Sequence, residues 1–292
     1  MILSRILPFT AKKKLTFQNA SDTNNNPGKL NTDKFKISNK THSIGQDILY
    51  FTKIDSTNTK AKELADKGAK EGTIVIAEEQ TKGRGRLNRH WISAPYKNIL
   101  MSLVFRPALP PSRIYLLTMS ASIAIVKAIK KTTGLRTQIK WPNDIYYKNK
   151  KLAGILTELH IDKNNIKYAV MGIGLNVNFD PALFPEIIDI ATSLYKECGR
   201  IISREKLLKK ILLEMAREYY LLLKGDVNKI RKNWNKHSLV TGKAVIISSG
   251  KYSEEGIAGA VAEDGSLTLI KSNGEIKNIF CGDVSLRVKH PL

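Results

Sequence analysis

The chain lacks most of what a metal-built or secreted protein relies on. It has two cysteines in 292 residues, Cys198 and Cys281, and two widely separated thiols make neither a disulfide framework nor a metal cage. Its five histidines stand singly, without the spacing of metal ligands. A structural metal is therefore not expected, and the low cysteine use fits a reducing, cytoplasmic setting. Long hydrophobic runs are missing as well. The most apolar stretch, Ile114 to Ile129, is interrupted by Lys127 and reads as a buried helix, so no membrane span is expected. Acidic residues are scarce: 26 Asp and Glu against 48 Lys and Arg leave a formal charge of +22. Such a surface attracts phosphorylated ligands, acidic proteins or nucleic acid. The basic residues are nevertheless scattered in short groups (Lys12 to Lys14, Lys130 and Lys131, Lys148 to Lys151, Lys206 to Lys210, Arg231 to Lys236), which reads as a solvated surface rather than a nucleic-acid face.

What is present supports a packed core, with hydrophobic residues at 42%. Residues 1–46 are the exception. They lack periodicity, are rich in Asn, Ser and Thr, and contain no pair of amphipathic helices of the kind a helix-turn-helix needs. Their apolar start, Met1 to Leu7, precedes the lysines instead of following them, the reverse of a secretory leader. The composition resembles an organelle transit segment, but a disordered or weakly ordered tail is the simpler reading. From residue 47 the pattern changes. Ile48 to Ile54 and Thr73 to Ala77 read as strands, with a short helix between them from Ser56 or Thr57 to Lys67. Ile99 to Phe105 is a further strand. A long helix from Ser112 to Lys131 repeats Leu116, Met119, Ile123, Val126 and Ile129 at helical spacing. Four strands follow, at Ile139 to Trp141, Ile145 to Tyr147, Leu152 to Leu159 and Ile166 to Ile173, then helices over Ser203 to Leu223 and Val227 to Asn235. After Ser238 come five short strands with turns at Gly250, Asp264-Gly265 and Asn273-Gly274, the pattern of a small β-barrel. The layout is a tail at 1–46, a mixed α/β domain at 47–237 and a small barrel at 238–292.

Four segments carry chemistry. Gly83-Arg84-Gly85-Arg86-Leu87-Asn88-Arg89, two residues before Trp91, places planar guanidinium forks among flexible positions. That combination suits carboxylate and phosphate oxygens, although a solvated basic loop or an RNA-binding segment would look the same. It is not a P-loop, because no Gly-Lys-Ser/Thr ending follows. Lys140-Trp141-Pro142-Asn143-Asp144 lies between two strands; Asp144 orients a cation, a metal or a ribose, or only caps its own turn. Lys151-Leu152-Ala153-Gly154-Ile155-Leu156 puts an ammonium at the start of a strand. Gly172-Ile173-Gly174-Leu175-Asn176-Val177-Asn178 ends a strand between glycines, with two side-chain amides.

Together these segments resemble the biotin protein ligases. The resemblance runs from Asp55 to the C-terminus and rests on Asp55-Ser56-Thr57-Asn58, Gln80 ahead of the GRGRLNRHW loop, KWPNDI, KLAGIL, GIGLNVN and Ala191-Thr192-Ser193-Leu194. It implies an α+β fold: a mixed β-sheet flanked by helices, of the class II synthetase-like kind, followed by an SH3-like barrel. It implies biotin, ATP and Mg2+ as reactants, biotinyl-5′-adenylate as intermediate, and a lysine on a biotin carboxyl carrier protein as acceptor. Biotin contacts carry over to Ser56, Thr57, Asn58, Gln80, Arg84, Gly85, Arg86 and Lys151. Catalytic roles fall to Lys151, Arg86 and Asp144, and the nucleotide to Arg89, Trp91, Asn143, Asn176 and Arg287, with Mg2+ near Asp144. The chain is then of the single-function type, a monomer or homodimer, without the DNA-binding domain. Two departures stand out. The family has Gly where this chain has Asn88, and a glycine-containing turn where it has Ala94-Pro95-Tyr96-Lys97. A lipoate or octanoate ligase is one alternative, although the polar set at Ser56, Thr57, Asn58 and Gln80 favours a ureido ring over a plain acyl chain. A basic, biotin-responsive nucleic-acid regulator is the other.

Overall fold

The computed structural model describes residues 29–31, 44–163, 165–249, 251–280 and 285–288. Seven strands form the larger sheet: β1 (Ile48–Ile54), β2 (Ile74–Gln80), β3 (Ile99–Phe105), β4 (Gln138–Lys140), β5 (Asp144–Tyr147), β6 (Lys150–Asp162) and β7 (Asn165–Leu175), in the order β1-β2-β3-β7-β6-β5-β4. Among the described strands of this sheet only β1 and β2 pair in parallel, and helix α1 (Thr57–Asp66) makes the crossover between them. The sheet is therefore mixed, as expected.

Helices cover its two faces unequally. α2 (Tyr115–Thr133) and α4 (Arg204–Leu223) pack over one face, where Met101, Leu103, Phe105, Met171 and Ile173 are buried. Among the described residues, the opposite face carries only α1. Ala61, Leu64 and Ala65 of α1 cover Val75, Val104 and Val170, so the sheet beyond the N-terminus of α1 stays open for a site. α2, with the turn before it, is long and apolar enough to cross a membrane. Two-thirds of that stretch (67%) is instead buried inside the protein, which makes it the core helix that the sequence suggested.

Two elements differ from the sequence reading. β2 runs past Ala77 through two glutamates to Gln80. Glu78 is only 1% exposed, but Arg204 of α4 neutralises it at 2.6 Å and Tyr50 donates to it at 2.8 Å, so the strand continues. The short helix α3 (Leu194–Cys198) was not anticipated. Ser193 accepts a hydrogen bond from the Lys196 amide at its start, and Gly199 closes it in a left-handed conformation.

Within the segment read as a tail, Leu30 and Ile44 are buried in the main core, and the Leu30 amide donates to Glu78 at 3.1 Å. The remainder of that tail, like Cys281, lies outside the described residues. After α5 (Val227–Lys236) come β8 (Ala244–Ser249), β9 (Tyr252–Val261), β10 (Leu267–Ile270), β11 (Ile276–Ile279) and β12 (Ser285–Val288). They form an antiparallel sheet in the order β11-β10-β9-β8-β12. This is an SH3-like arrangement, with β11 and β12 as its edges among the described residues. It is fastened to the elements of the larger sheet and its helices by Trp141 Nε1 donating to the Gly265 carbonyl at 3.4 Å and by the Asn235 side chain on Val261.

Candidate active site

Register explains the floor of the open face. Gly154 of β6 pairs with Asp144 of β5 on one side and Gly174 of β7 on the other; two residues along, Leu156 pairs with Gly172, which faces Ser102 of β3. Three glycines on one face leave a shallow floor, bare of side chains at those three positions. Two side chains rest there. A Cβ at Gly172 would lie 2.1 Å from Asn58 Oδ1, and one at Gly174 would lie 2.4 Å from the Trp91 indole. These glycines are therefore required by close approach, not by backbone conformation.

At one end of the floor stands a buried polar cluster. Ser56, Thr57 and Asn58, at the N-terminus of α1, are 3–4% exposed. The amide and hydroxyl of Thr57 both donate to Gln80 Oε1, at 2.7 and 3.0 Å. Ser102 shares one hydroxyl proton between Asn58 Oδ1 at 2.6 Å and Thr57 Oγ1 at 2.8 Å. Asn58 Nδ2 donates to Glu158 at 2.6 Å. Four polar side chains held this way present fixed donors and acceptors to a small polar ring.

At the other end is charge. Lys151 Nζ lies 2.7 Å from Asp144 Oδ1 and 5.6 Å from the centroid of a Trp91 ring. Lys140 donates to Tyr146 at 3.4 Å. Its pKa is lowered, first by burial and then by the cations Lys151, Arg287 and Arg89, with Asp144 acting the other way. Arg287, exposed on β12, therefore lies within electrostatic reach of this end of the site.

The glycine–arginine segment is not a free loop. Gly83 pairs with Trp91, Arg84 with His90 and Gly85 with Arg89. Leu87 and Asn88 both have left-handed backbones, with φ of 55° and 56°, and the Arg89 amide closes the turn on the Arg86 carbonyl at 3.2 Å. This is a small β-hairpin with a type I′ turn, the turn type that most favours Asn-Gly. Asn88 thus stands where glycine would sit without strain and itself tolerates the angle better than most residues. The other departure behaves alike: Tyr96, in the exit turn, has φ of 60°. The hairpin is held on two sides. Arg84 reaches Glu158 at 3.2 Å, and Arg86 donates to Asn143 Oδ1 at 3.2 Å. Asn143 is itself fixed, donating to the Ile155 carbonyl at 2.6 Å.

Asn176, just past β7, donates to the Thr192 carbonyl at 3.0 Å and so ties the Ala191 to Leu194 run to the strand end. Its Oδ1 is buried and has no partner among the described residues. Of the residues singled out in the sequence, Thr57, Asn58 and Gln80 gather at one end of the floor, Lys151, Asp144 and Trp91 at the other, and Arg84 and Arg86 tie the hairpin to Glu158 and Asn143; Asn176 is placed by its bond to Thr192, and Arg89 and Arg287 by their charge on Lys140. Three that took no role in the sequence reading belong to the site as well. Ser102 is the one polar position in the apolar strand β3, a signal open to notice, whereas Glu158 stands among other polar residues of β6 and carries no such signal. Lys140 had been counted only as part of its motif.

Residues 50–176 match the biotin/lipoate A/B protein ligase family. The bifunctional ligase/repressor BirA of Bacillus subtilis is 37% identical over 261 residues, covering 89% of this chain and 80% of that protein. The biotin–[acetyl-CoA-carboxylase] ligase of Paracoccus denitrificans is 30% identical over 224 residues, covering 74% and 90%. Among solved structures, the biotin protein ligase from Aquifex aeolicus in complex with biotin and ATP superposes with a TM-score of 0.72 at 28% identity, over 84% of this chain and all of that one.

Proposed function

The chain belongs to the biotin protein ligase family and is an ATP-dependent, AMP-forming biotin–protein ligase; from that premise we propose how its site divides the work. A carboxylate oxygen of biotin attacks the α-phosphorus of ATP. The new O–P bond forms as the bond to pyrophosphate breaks, giving biotinyl-5′-AMP. The ε-amine of a lysine on a biotin carboxyl carrier protein then attacks the acyl carbon. An amide forms, AMP leaves, and the amine loses a proton.

Ser56, Thr57, Asn58 and Gln80 hold the ureido ring, with Gly85 letting the hairpin backbone approach. The glycine floor takes the apolar part of the molecule, and Trp91, lying over Gly174, walls the adenine side. Lys151 and Arg86 face the point where carboxylate meets α-phosphate, and Arg89, Asn143, Asn176 and Arg287 serve the nucleotide. The observation that carries this assignment is the Lys151–Asp144 pair at 2.7 Å on the rim of the floor. Asp144 fixes the ammonium before substrate arrives, so little reorganisation is needed as charge develops. Opposite unit charges about 4 Å apart near a protein surface attract by roughly 4 kcal/mol before desolvation. Mg2+ enters with ATP as part of that substrate and neutralises phosphate charge. Asp144 and Asn176 Oδ1 offer it hard oxygen atoms, which fits an ion already coordinated by phosphates, and no group of three or more His, Cys, Asp or Glu converges among the described residues.

Lys151→Ala tests the assignment. It should lower biotin-dependent pyrophosphate release by about 10²- to 10³-fold while leaving the protein folded. Undiminished release would remove Lys151 from the reaction.

A further inference from the structure

Glu158 touches none of the reacting groups, yet three parts of the site end on it. It stands on β6, opposite Val170 of β7, beyond the Leu156–Gly172 row. Its Oε2 accepts from Asn58 Nδ2 at 2.6 Å and from Arg84 at 3.2 Å, and its Oε1 accepts from Lys62 at 2.5 Å. Asn58 and Lys62 belong to α1, and Arg84 belongs to the base of the hairpin. One carboxylate therefore joins the helix that presents the polar cluster, the hairpin that overlies the floor, and the sheet beneath both. A glutamate serving only solubility would pair loosely with one exposed lysine. This one is shared by three donors, and one of them, Asn58, is 4% exposed. The Arg86–Asn143 contact holds the hairpin from the reacting side, which leaves the Arg84–Glu158 contact to hold it from the other.

We propose that Glu158 is a positioning residue: through Arg84 it latches the hairpin shut over the adenylate, and through Asn58 it keeps the polar cluster in register with the floor. This rests on the ligase reading above. It gives the Arg84 guanidinium a lid function in place of a direct ligand contact.

The test compares release with formation. Biotinyl-5′-AMP is formed on the enzyme from biotin and Mg-ATP, and its escape is followed after a chase, beside first-turnover pyrophosphate release. Glu158→Gln keeps an acceptor for Asn58 but removes the charge that Arg84 needs. Escape should rise about three- to tenfold, more than first-turnover pyrophosphate release falls, and Glu158→Asp should restore most of the retention. Raising the salt should speed escape from the wild type and leave Glu158→Gln unchanged, a response that a packing defect would not give. Arg84 is exposed, so Arg84→Gln folds in any case. It should match Glu158→Gln, and the double variant should leak no faster than either single one. Equal retention in the single variants, or effects that multiply in the double variant, overturns the latch alone. A wild type that forms no adenylate overturns the ligase reading and the latch with it.

Discussion

A single methyl group at Gly172 should disable the polar cluster. The added Cβ of Gly172→Ala would lie 2.1 Å from Asn58 Oδ1 and 2.9 Å from its Cγ, whereas ordinary contact begins near 3.4 Å. Asn58 must therefore move by roughly 1 Å, and it is not free to do so. It is fixed by Ser102 at 2.6 Å, the Leu156 carbonyl at 3.3 Å and Glu158 at 2.6 Å. Losing the Ser102 and Glu158 bonds costs about 1 kcal/mol each, and overpacking adds about 1 kcal/mol more. The expected loss of folding stability is about 2–3 kcal/mol in urea denaturation, with biotin binding at least tenfold weaker by titration calorimetry. Gly154→Ala is the comparison. Its Cβ would meet Lys151 Nζ at 3.3 Å and Trp91 at 3.1 Å, contacts that a flexible lysine and a small ring shift relieve, so the effect should stay below about 1 kcal/mol. If Gly172→Ala were within about 0.5 kcal/mol of wild type with unchanged biotin affinity, Asn58 would not be seated as described.

Other expectations follow from the same geometry. Arg204→Met leaves Glu78 buried without its cation and should cost about 3–5 kcal/mol in denaturant; a loss under 1 kcal/mol would mean that Tyr50 and the Leu30 amide suffice. Replacing Leu87-Asn88 by Asn-Gly relieves two left-handed residues, and slower adenylate escape by about fivefold should accompany about 1 kcal/mol of relief; faster escape would show that the turn does not govern closure. Arg86→Ala should leak adenylate because the Asn143 side of the hairpin is released, and a trapping assay with unchanged escape would contradict that. Burial raises the Glu158 pKa, but hydrogen bonds from Lys62 and Asn58, with the charges of Lys62 and Arg84, lower it more. The folded value lies below the unfolded one, so the latch is complete above the ordinary carboxylate range and is lost only as pH falls through the lowered value. Adenylate retention should be flat from about pH 8 to about pH 5; a loss already evident near pH 6 would assign it to another group. Biotin should bind more tightly than lipoate by calorimetry, and the reverse order would favour an acyl-chain ligase.

The sequence showed the site's motifs more plainly than its supports. The apolar run of Ile99 to Phe105, the helical period of Leu116 to Ile129 and the turn pairs after Ser238 are local signals, and each produced the element it implied. The strand from Thr73 reads as ending at Ala77 because the partner of Glu78 is 126 residues away; nothing near β2 shows that Arg204 will neutralise it. The hairpin escaped notice for a related reason. A type I′ turn is recognised by Asn-Gly, and Leu87-Asn88 adopts that geometry only because ladder bonds below it and Arg84 and Arg86 on either side hold it there. Glu158 reads as a solvent-facing strand residue until α1 and the hairpin are folded onto it.

The central claim is tested most directly by incubating the protein with biotin, Mg-ATP and a biotin carboxyl carrier domain, then determining the intact mass and modified residue of the carrier. The site as described predicts one added biotinyl group on a single lysine, dependent on ATP and absent with Lys151→Ala. An unmodified carrier, or modification that Lys151→Ala leaves intact, would contradict it.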